Sequence, residues 1–539
     1  MPHGHVFVAP GDLAHLSSDA VVVPTDRGFH LEPYWYETLG LGDDPSADDA
    51  ARLRPVEWPA DGYGPAPGEA FTAADGDVAD GDDDERRRVW FIDVVPTRAT
   101  GGTDGAAELA DRVLRLLEAV AADDALAART GRLLPLVALP VLGVGKGSLG
   151  GARGDVVARL VAACTAFTGR HAIDVVIVAR HASDFSAFQD ARQALDDSPL
   201  PDDLESQARD LAHRARRGEL ALFVGGGVSM GAGLQGWRDL LAALAERAGS
   251  PDLVADLAAL SSPLDQAQLL QQELGEDLRR HLRDILGCVR RYALAHALLA
   301  SLGCDPVVTT NYDTLYEQAL GDAVGAGPAT LPFDDAQAGE PWVLKMHGDL
   351  REGSRPVLSR SDVVGFDSGS GPVGAMVQSL LLTRHLLIVG ASLTDDNFLR
   401  LAHDVASFRE THTARSRERR PMGTVVALAD NPGSRRLWQG RFEFVATHVP
   451  SPGHTGRAAQ ARDLALFLDR VALHASTPRY AADERYEGLL LDDEVRAAHD
   501  ARRLLAAIDG LPPHARGRWR LVREALEASG ASRSPDLDV

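Results

Sequence analysis

Short apolar runs, each closed by glycine or small polar residues, recur along this chain with helical periodicity between some of them. Residues 5–8, 20–23, 88–95, 133–139 and 172–179 read as strands, with amphipathic helices over about 105–122 and 153–167. A second series covers 220–224, 307–310, 342–346, 385–389 and 423–428. Continuously apolar strands alternating with helices imply α/β layers around mostly parallel sheets, because only a sheet covered on both faces buries such runs. The 539 residues suggest about three or four units at roughly 150 residues each, and allow two large ones with appendages.

Boundaries follow from composition. Residues 42–88 are rich in Asp, Ala, Gly and Pro, with an acidic cluster at 82–85 answered by Arg86–Arg88, and read as a surface insertion. Residues 196–204 hold Pro199 and Pro201 and read as a linker. The expected organisation is a first domain over 1–195, a second over 205–475, and a helical C-terminal appendage over 476–539 with helices near 492–507 and 516–529.

Charge narrows the partners. With 55 Lys+Arg against 78 Asp+Glu, the net charge is 55 − 78 = −23, which speaks against nucleic acid and anionic membrane surfaces as partners. Cys164, Cys288 and Cys304 are scattered and suggest neither a disulfide framework nor a zinc site. No basic segment leads into an apolar core near Met1, and the apolar runs are shorter than the ~20 residues of a spanning helix. Cytoplasm is the expected compartment.

Four motifs carry the chemistry, each just after a strand-like run. They are Gly225-Gly226-Gly227-Val228-Ser229, Thr310-Asn311-Tyr312-Asp313, Lys345-Met346-His347-Gly348-Asp349 and Gly390-Ala391-Ser392. Ligands of open α/β sheets sit at the strands' carboxyl ends, so the four converge on one crevice. Glycines let the backbone approach a pyrophosphate, and a serine hydroxyl can bind its oxygens. Gly227-Val228-Ser229-Met230-Gly231 also fits a nucleophile elbow, but Gly231 and Gly233 are expected to delay the helix to about Trp237. Gly231–Gly236 fits a dinucleotide fingerprint placed too far beyond its strand. A Walker loop is excluded, since Gly145-Lys146 is followed by Gly147 and Pro140 stands where the first glycine belongs.

As a set, these motifs over about 205–475 resemble the sirtuin-type NAD-binding domain, above all the sirtuin-like domains of bacterial anti-phage proteins. Typical sirtuins read G-A-G-x-S, P-x-F-R, Q-N-x-D, H-G and G-T-S. Here the second becomes Gln235-Gly236-Trp237-Arg238, and the remaining motifs match in order. The resemblance implies a Rossmann-type fold with Asn311, Asp313 and His347 as catalytic residues. It implies NAD contacts from Gly225, Gly226, Gly227, Ser229, Trp237, Arg238, Thr310, Gly390 and Ser392. For the asparagine after the last ribose-binding strand, Asp430 or Asn431 is nearest, and Asn431 is assigned. Between His347 and Gly390 there is no cysteine, so the four-cysteine zinc ribbon of deacylating sirtuins is absent from this interval and no zinc is expected.

The first domain resembles macro domains, which bind ADP-ribose and have a three-layer fold. Gly11-Asp12-Leu13-Ala14 and Asp19–Asp26 match the family's opening, and Pro140–Gly147 matches its phosphate loop. By that resemblance Asp12 holds adenine, while Gly143, Gly145, Lys146 and Gly147 cradle phosphate. Residues 184–188 suit the closing segment. Pro24 and Asp26 replace two family asparagines, which favours binding over hydrolysis.

Together the resemblances imply an NAD glycohydrolase of the Thoeris kind, with NAD as substrate and nicotinamide and ADP-ribose, or a cyclic isomer, as products. They imply control by an ADP-ribose-derived nucleotide signal, a homo-oligomer, and a phage or operon-encoded trigger. Three other readings stay open: an NAD-dependent deacylase or ADP-ribosyltransferase, a non-catalytic ADP-ribose/NAD sensor, and a serine hydrolase at Ser229.

Overall fold

The structure is a computed structural model. It describes residues 3–42, 45–56, 58, 62–67, 87–97, 103–128, 131–145, 148–195, 198–249, 251–351, 354, 356–412, 420–451 and 454–531. The chain divides into two compact units, one formed by Met1–Pro199 with Ser476–Val539 and the other by Leu200–Ala475.

In the first unit the strands are β1 (Val6–Pro10), β2 (Ala20–Thr25), β3 (Tyr63–Pro65), β4 (Arg88–Asp93), β5 (Leu136–Pro140) and β6 (Asp174–Ala179). They form one sheet in the order β1-β6-β5-β2-β4-β3, parallel except for the edge pair β3–β4. Alternate side chains such as Val8, Val22, Leu139 and Ile177 meet the helices Thr103–Ala121, Arg153–Thr168 and Ala182–Gln193 in one core. On the opposite face Phe91 meets Phe29 edge-on at 4.9 Å, and Phe29 meets Trp58 at 5.4 Å. Trp58 is buried, and a short helix (Ala47–Arg52) and β3 also lie within 42–88. The described part of that insertion is therefore built into the unit, because two aromatic rings give it apolar area to bury. The acidic cluster at 82–85 lies outside the described residues, as do residues 196 and 197 of the expected linker.

The C-terminal segment differs from the expected separate appendage. Tyr480 and Tyr486 enter the first unit's core, and their hydroxyls donate to Asp190 Oδ2 and Asp184 Oδ1, both at 2.6 Å. Asp184 also accepts from Arg153 at 3.0 Å. The helical periodicity of 492–507 and 516–529 corresponds to helices Asp492–Asp509 and Arg520–Ala528, with a short turn at Pro513–Arg516.

The second unit has β7 (Leu220–Val224), β8 (Val307–Thr309), β9 (Ala329–Leu331), β10 (Trp342–Lys345), β11 (His385–Val389), β12 (Gly423–Ala427) and β13 (Phe442–Ala446). Its sheet is parallel throughout, in the order β13-β12-β11-β7-β8-β10-β9. From β7 the chain builds outward through β8, then returns to β11 on the other side and builds to β13. The order reverses between β7 and β11, and a crevice opens where their loops part. Sequence periodicity missed the two edge strands, β9 and β13. The helix expected from about Trp237 is Trp237–Arg247; the helices Pro251–Ala259, Pro263–Leu274, Asp277–Leu286 and Leu294–Ala300, also between β7 and β8, were missed. The first four of these five helices pack on one another through Leu240, Leu244, Leu270 and Leu282, with Tyr312 and Leu358 in the same cluster. Among the described residues no helix is long and apolar enough to cross a membrane.

Candidate functional site

A cavity of about 680 Å³ opens at the carboxyl edge of the second sheet. Gly225, Gly226, Gly227, Ser229, Trp237, Thr310, Asn311, Asp313, His347, Gly390 and Ser392 all line it. Four separate motifs thus share one space. Two expected members do not line it. Arg238 is exposed in the first turn of its helix, and Asn431 caps the helix Pro432–Leu437 by accepting from Ser434 N at 3.1 Å.

Gly225 follows β7, and Gly390 follows the neighbouring β11 with φ +73°. A Cβ on Gly225 would stand 2.6 Å from the Gly390 carbonyl oxygen, and one on Gly390 would stand 2.6 Å from Val228 N. These glycines are required by the approach of two loops as much as by any ligand. Gly226 differs: its exposed Cα meets only Asn311 Oδ1, 3.8 Å from a built Cβ. A helical turn, Gly226–Ser229, starts directly after β7, contrary to the delayed helix expected from Gly231 and Gly233. The chain leaves it through a 3-10 turn ending at Gly233, φ +103°.

Ser229 is buried and receives two contacts. Asn311 Nδ2 donates to its Oγ at 3.1 Å, and His296 Nε2 lies 3.3 Å from the same atom. His296 Nδ1 accepts from Ala293 N at 3.1 Å, so the ring proton of the neutral imidazole sits on Nε2 and points at Ser229. Burial lowers the His296 pKa to about 4, against a smaller opposing pull from Asp313. His296 is therefore a donor to Ser229 and has no free lone pair with which to take its proton. That arrangement disfavours a nucleophilic serine and leaves the Ser229 hydroxyl hydrogen free to meet a ligand oxygen. Sequence reasoning missed His296; its one signal is a histidine three residues after Ala293 on a short apolar helix.

Asn311 and Asp313 occupy the turn after β8. Thr309 Oγ1 donates to Val224 O at 2.8 Å and accepts from Asn311 N at 3.0 Å, tying the turn to β7. His347 is nearly buried, and its Nε2 lies 3.1 Å from Asp395 Oδ2. Burial raises the Asp395 pKa, but His347 and the N–H groups of Phe398 and Asn397 outweigh it and hold the carboxyl below its usual range. Asp395 also lines the cavity and went unassigned, although it lies three residues beyond Ser392.

Outside the cavity, His448 and His454 contact Asp463 at 2.8 and 2.9 Å. This trio has metal-ligand chemistry. Each carboxylate oxygen already faces one imidazole, so the group is closed without an ion.

In the first unit, Asp12 follows β1, accepts from Ala14 N at 2.9 Å and lies 3.1 Å from Arg180 Nη2. Gly143 has φ +78°, and a Cβ there would fall 2.6 Å from Leu109 Cδ2, while Gly145 faces open space. Gly143 is thus favoured by its left-handed backbone whatever binds nearby, Leu109 Cδ2 being the mobile end of a side chain. Lys146 and Gly147 lie outside the described residues. The segment 184–188 is helical and serves the buried Arg153–Asp184–Tyr486 network.

Comparison with known proteins matches residues 305–441 to the SIR2-like domain family. The NAD(+) hydrolase ThsA of Enterococcus faecium is 31% identical over 35% of this chain and 40% of its own length. ThsA of Cytobacillus dafuensis is 26% identical over 37% of this chain and 41% of its own. Defense-associated sirtuin 2 of Bacillus subtilis is 25% identical over 35% of this chain and 19% of its own. The alignments thus span about two fifths or less of these relatives. The matched residues 305–441 all lie within the second unit.

Proposed function

We propose that the second unit is an NAD glycohydrolase, cleaving the nicotinamide–ribose bond of NAD to release nicotinamide and ADP-ribose. The observation that carries this reading is the meeting of Asn311, Asp313 and His347 with both glycine loops in one cavity. The names of the relatives, NAD(+) hydrolase and defence-associated sirtuin, support it.

Bond cleavage passes through an oxocarbenium-like ribose, so the site must hold the ribose, seat the leaving ring and admit water. Asn311 orients the ribose and the attacking water, and Asp313 contacts the nicotinamide amide. His347, beside the Asp395 carboxylate, accepts the proton of a ribose hydroxyl or of water. Trp237 packs by the departing ring, and Ser229 donates to a ligand oxygen.

The wider reading is defence against phage by NAD depletion. In it the macro-like first unit binds an ADP-ribose-derived nucleotide through the edge bearing Asp12 and Gly143, and that signal or self-assembly controls cleavage. Control requires the signal to bind active and inactive states unequally.

The test is a chromatographic time course of NAD with the full chain, alone and with ADP-ribose-type nucleotides, beside Asn311→Ala. Nicotinamide release that depends on Asn311 supports the activity, and acceleration by one nucleotide supports the control. NAD that stays intact in every mixture while still binding would sink the enzymatic reading.

A further inference from the structure

Beside the Asn311–Asp313 turn lies a buried ion pair to which the proposed chemistry assigns nothing. Lys345 ends β10, two residues before His347, and its side chain is wholly buried. Its ammonium stands 2.7 Å from Glu317 Oε1 and donates to the main-chain carbonyl of Asp313. Glu317 belongs to the helix Leu315–Val324, which starts where that turn ends. Burial raises the Glu317 pKa, and Lys345 opposes the rise.

A buried ion pair is a poor source of stability, since apolar side chains of similar volume often serve as well. What they cannot do is donate to the Asp313 carbonyl. Other ties hold the ends of the turn: Met346 N donates to Thr309 O at 2.8 Å, Thr309 and Asn311 reach β7 and Ser229, and the Tyr312 hydroxyl donates to Val357 O at 2.5 Å. Lys345 adds to these a link from β10 to the Asp313 carbonyl, beyond the reach of the β8–β10 ladder.

We propose that Lys345, anchored by Glu317, is a positioning residue that holds the Asn311–Asp313 turn in register with His347. The pair then governs turnover more than the binding of NAD, because the glycine loops do not depend on it. This inference rests on the proposed NAD cleavage.

The experiment compares the full wild-type chain with Lys345→Met/Glu317→Leu, which removes both charges together. Nicotinamide release gives kcat, calorimetry gives Kd for NAD, and deuterium exchange follows residues 309–317. The expected result is a fall in kcat of roughly 100-fold, the scale of a reacting group misplaced by about 1 Å. Kd should rise far less than kcat falls, and the turn's amides should exchange at least about ten-fold faster, with other segments unchanged. Wild-type kcat or wild-type exchange in the double variant overturns the proposal. If that variant does not fold, Glu317→Gln keeps the shape and an acceptor for the ammonium, and the same two readouts decide. A wild-type chain that releases no nicotinamide would sink the glycohydrolase reading, while the exchange comparison would still judge Lys345.

Discussion

Gly227 N donates to the Gly390 carbonyl oxygen at 2.9 Å, joining the loop after β7 to the loop after β11 where the strand order reverses. The contact explains why glycine stands on both sides of the crevice, and it separates two kinds of glycine.

Gly390→Ala should destabilise the second unit. The substitution combines a left-handed backbone with a Cβ 2.6 Å from Val228 N, and the backbone strain alone costs about 1–2 kcal/mol. A loss of that size lowers Tm by roughly 5 °C in a unit this large. Gly226→Ala meets only Asn311 Oδ1 at 3.8 Å, so its Tm should stay at the wild-type value while NAD affinity falls. Thermal melts and calorimetric titration with NAD check both, and equal Tm losses would sink the distinction.

Ser229 should resist a fluorophosphonate probe. His296 gives its Nε2 proton to Ser229 Oγ because Nδ1 is occupied by Ala293 N. A serine flanked by two donors and no base is not activated. Intact-mass spectrometry after exposure to the probe should show unmodified chain. An adduct that disappears in Ser229→Ala would restore the hydrolase reading.

Acid should weaken the second unit through two histidines. The pKa of His296 is lowered to about 4 by its burial, and that of His385 to about 4 chiefly by burial and then by Arg214. Unfolded, each titrates near 6.5, so below that pH the unfolded chain binds protons that the native chain does not. Stability is therefore full above pH 6.5 and falls as pH drops toward 4, by up to about 3 kcal/mol for the deeply buried His296. Chemical denaturation from pH 7 to 4 measures this. Replacing His296 by Asn should flatten the slope, and an unchanged slope would refute its share.

The parts of this fold legible in the sequence are those with strong local signals. β7 and β11 contain four or five consecutive apolar residues followed directly by glycine, and the motifs at their ends sit where such ends must lie in a parallel sheet. β9 is three residues long, and β13 carries the exposed Glu443 at an edge, so neither has a run to detect. Asp395 and Lys345 were illegible for another reason. A carboxylate that caps a helix and an ammonium at a strand end look ordinary until tertiary structure sets one beside His347 and the other beneath Asp313. Asn431 failed because its cap lies nearby in sequence but outside the cavity.

Asp395 performs two tasks that substitution can separate. It accepts from Phe398 N at 2.8 Å at the start of the helix Asp396–His412, and it faces His347 at 3.1 Å. Asn caps a helix about as well as Asp, whereas Ala forfeits about 1 kcal/mol. Asp395→Asn should therefore melt near the wild-type temperature yet lose roughly 10- to 100-fold in kcat, because the charge that orients His347 is gone. Asp395→Ala should lose both Tm and kcat. Nicotinamide release and thermal melts, run side by side on the two variants, separate the roles. Full activity in Asp395→Asn would mean that His347 works without its carboxylate, and that Asp395 serves the helix alone.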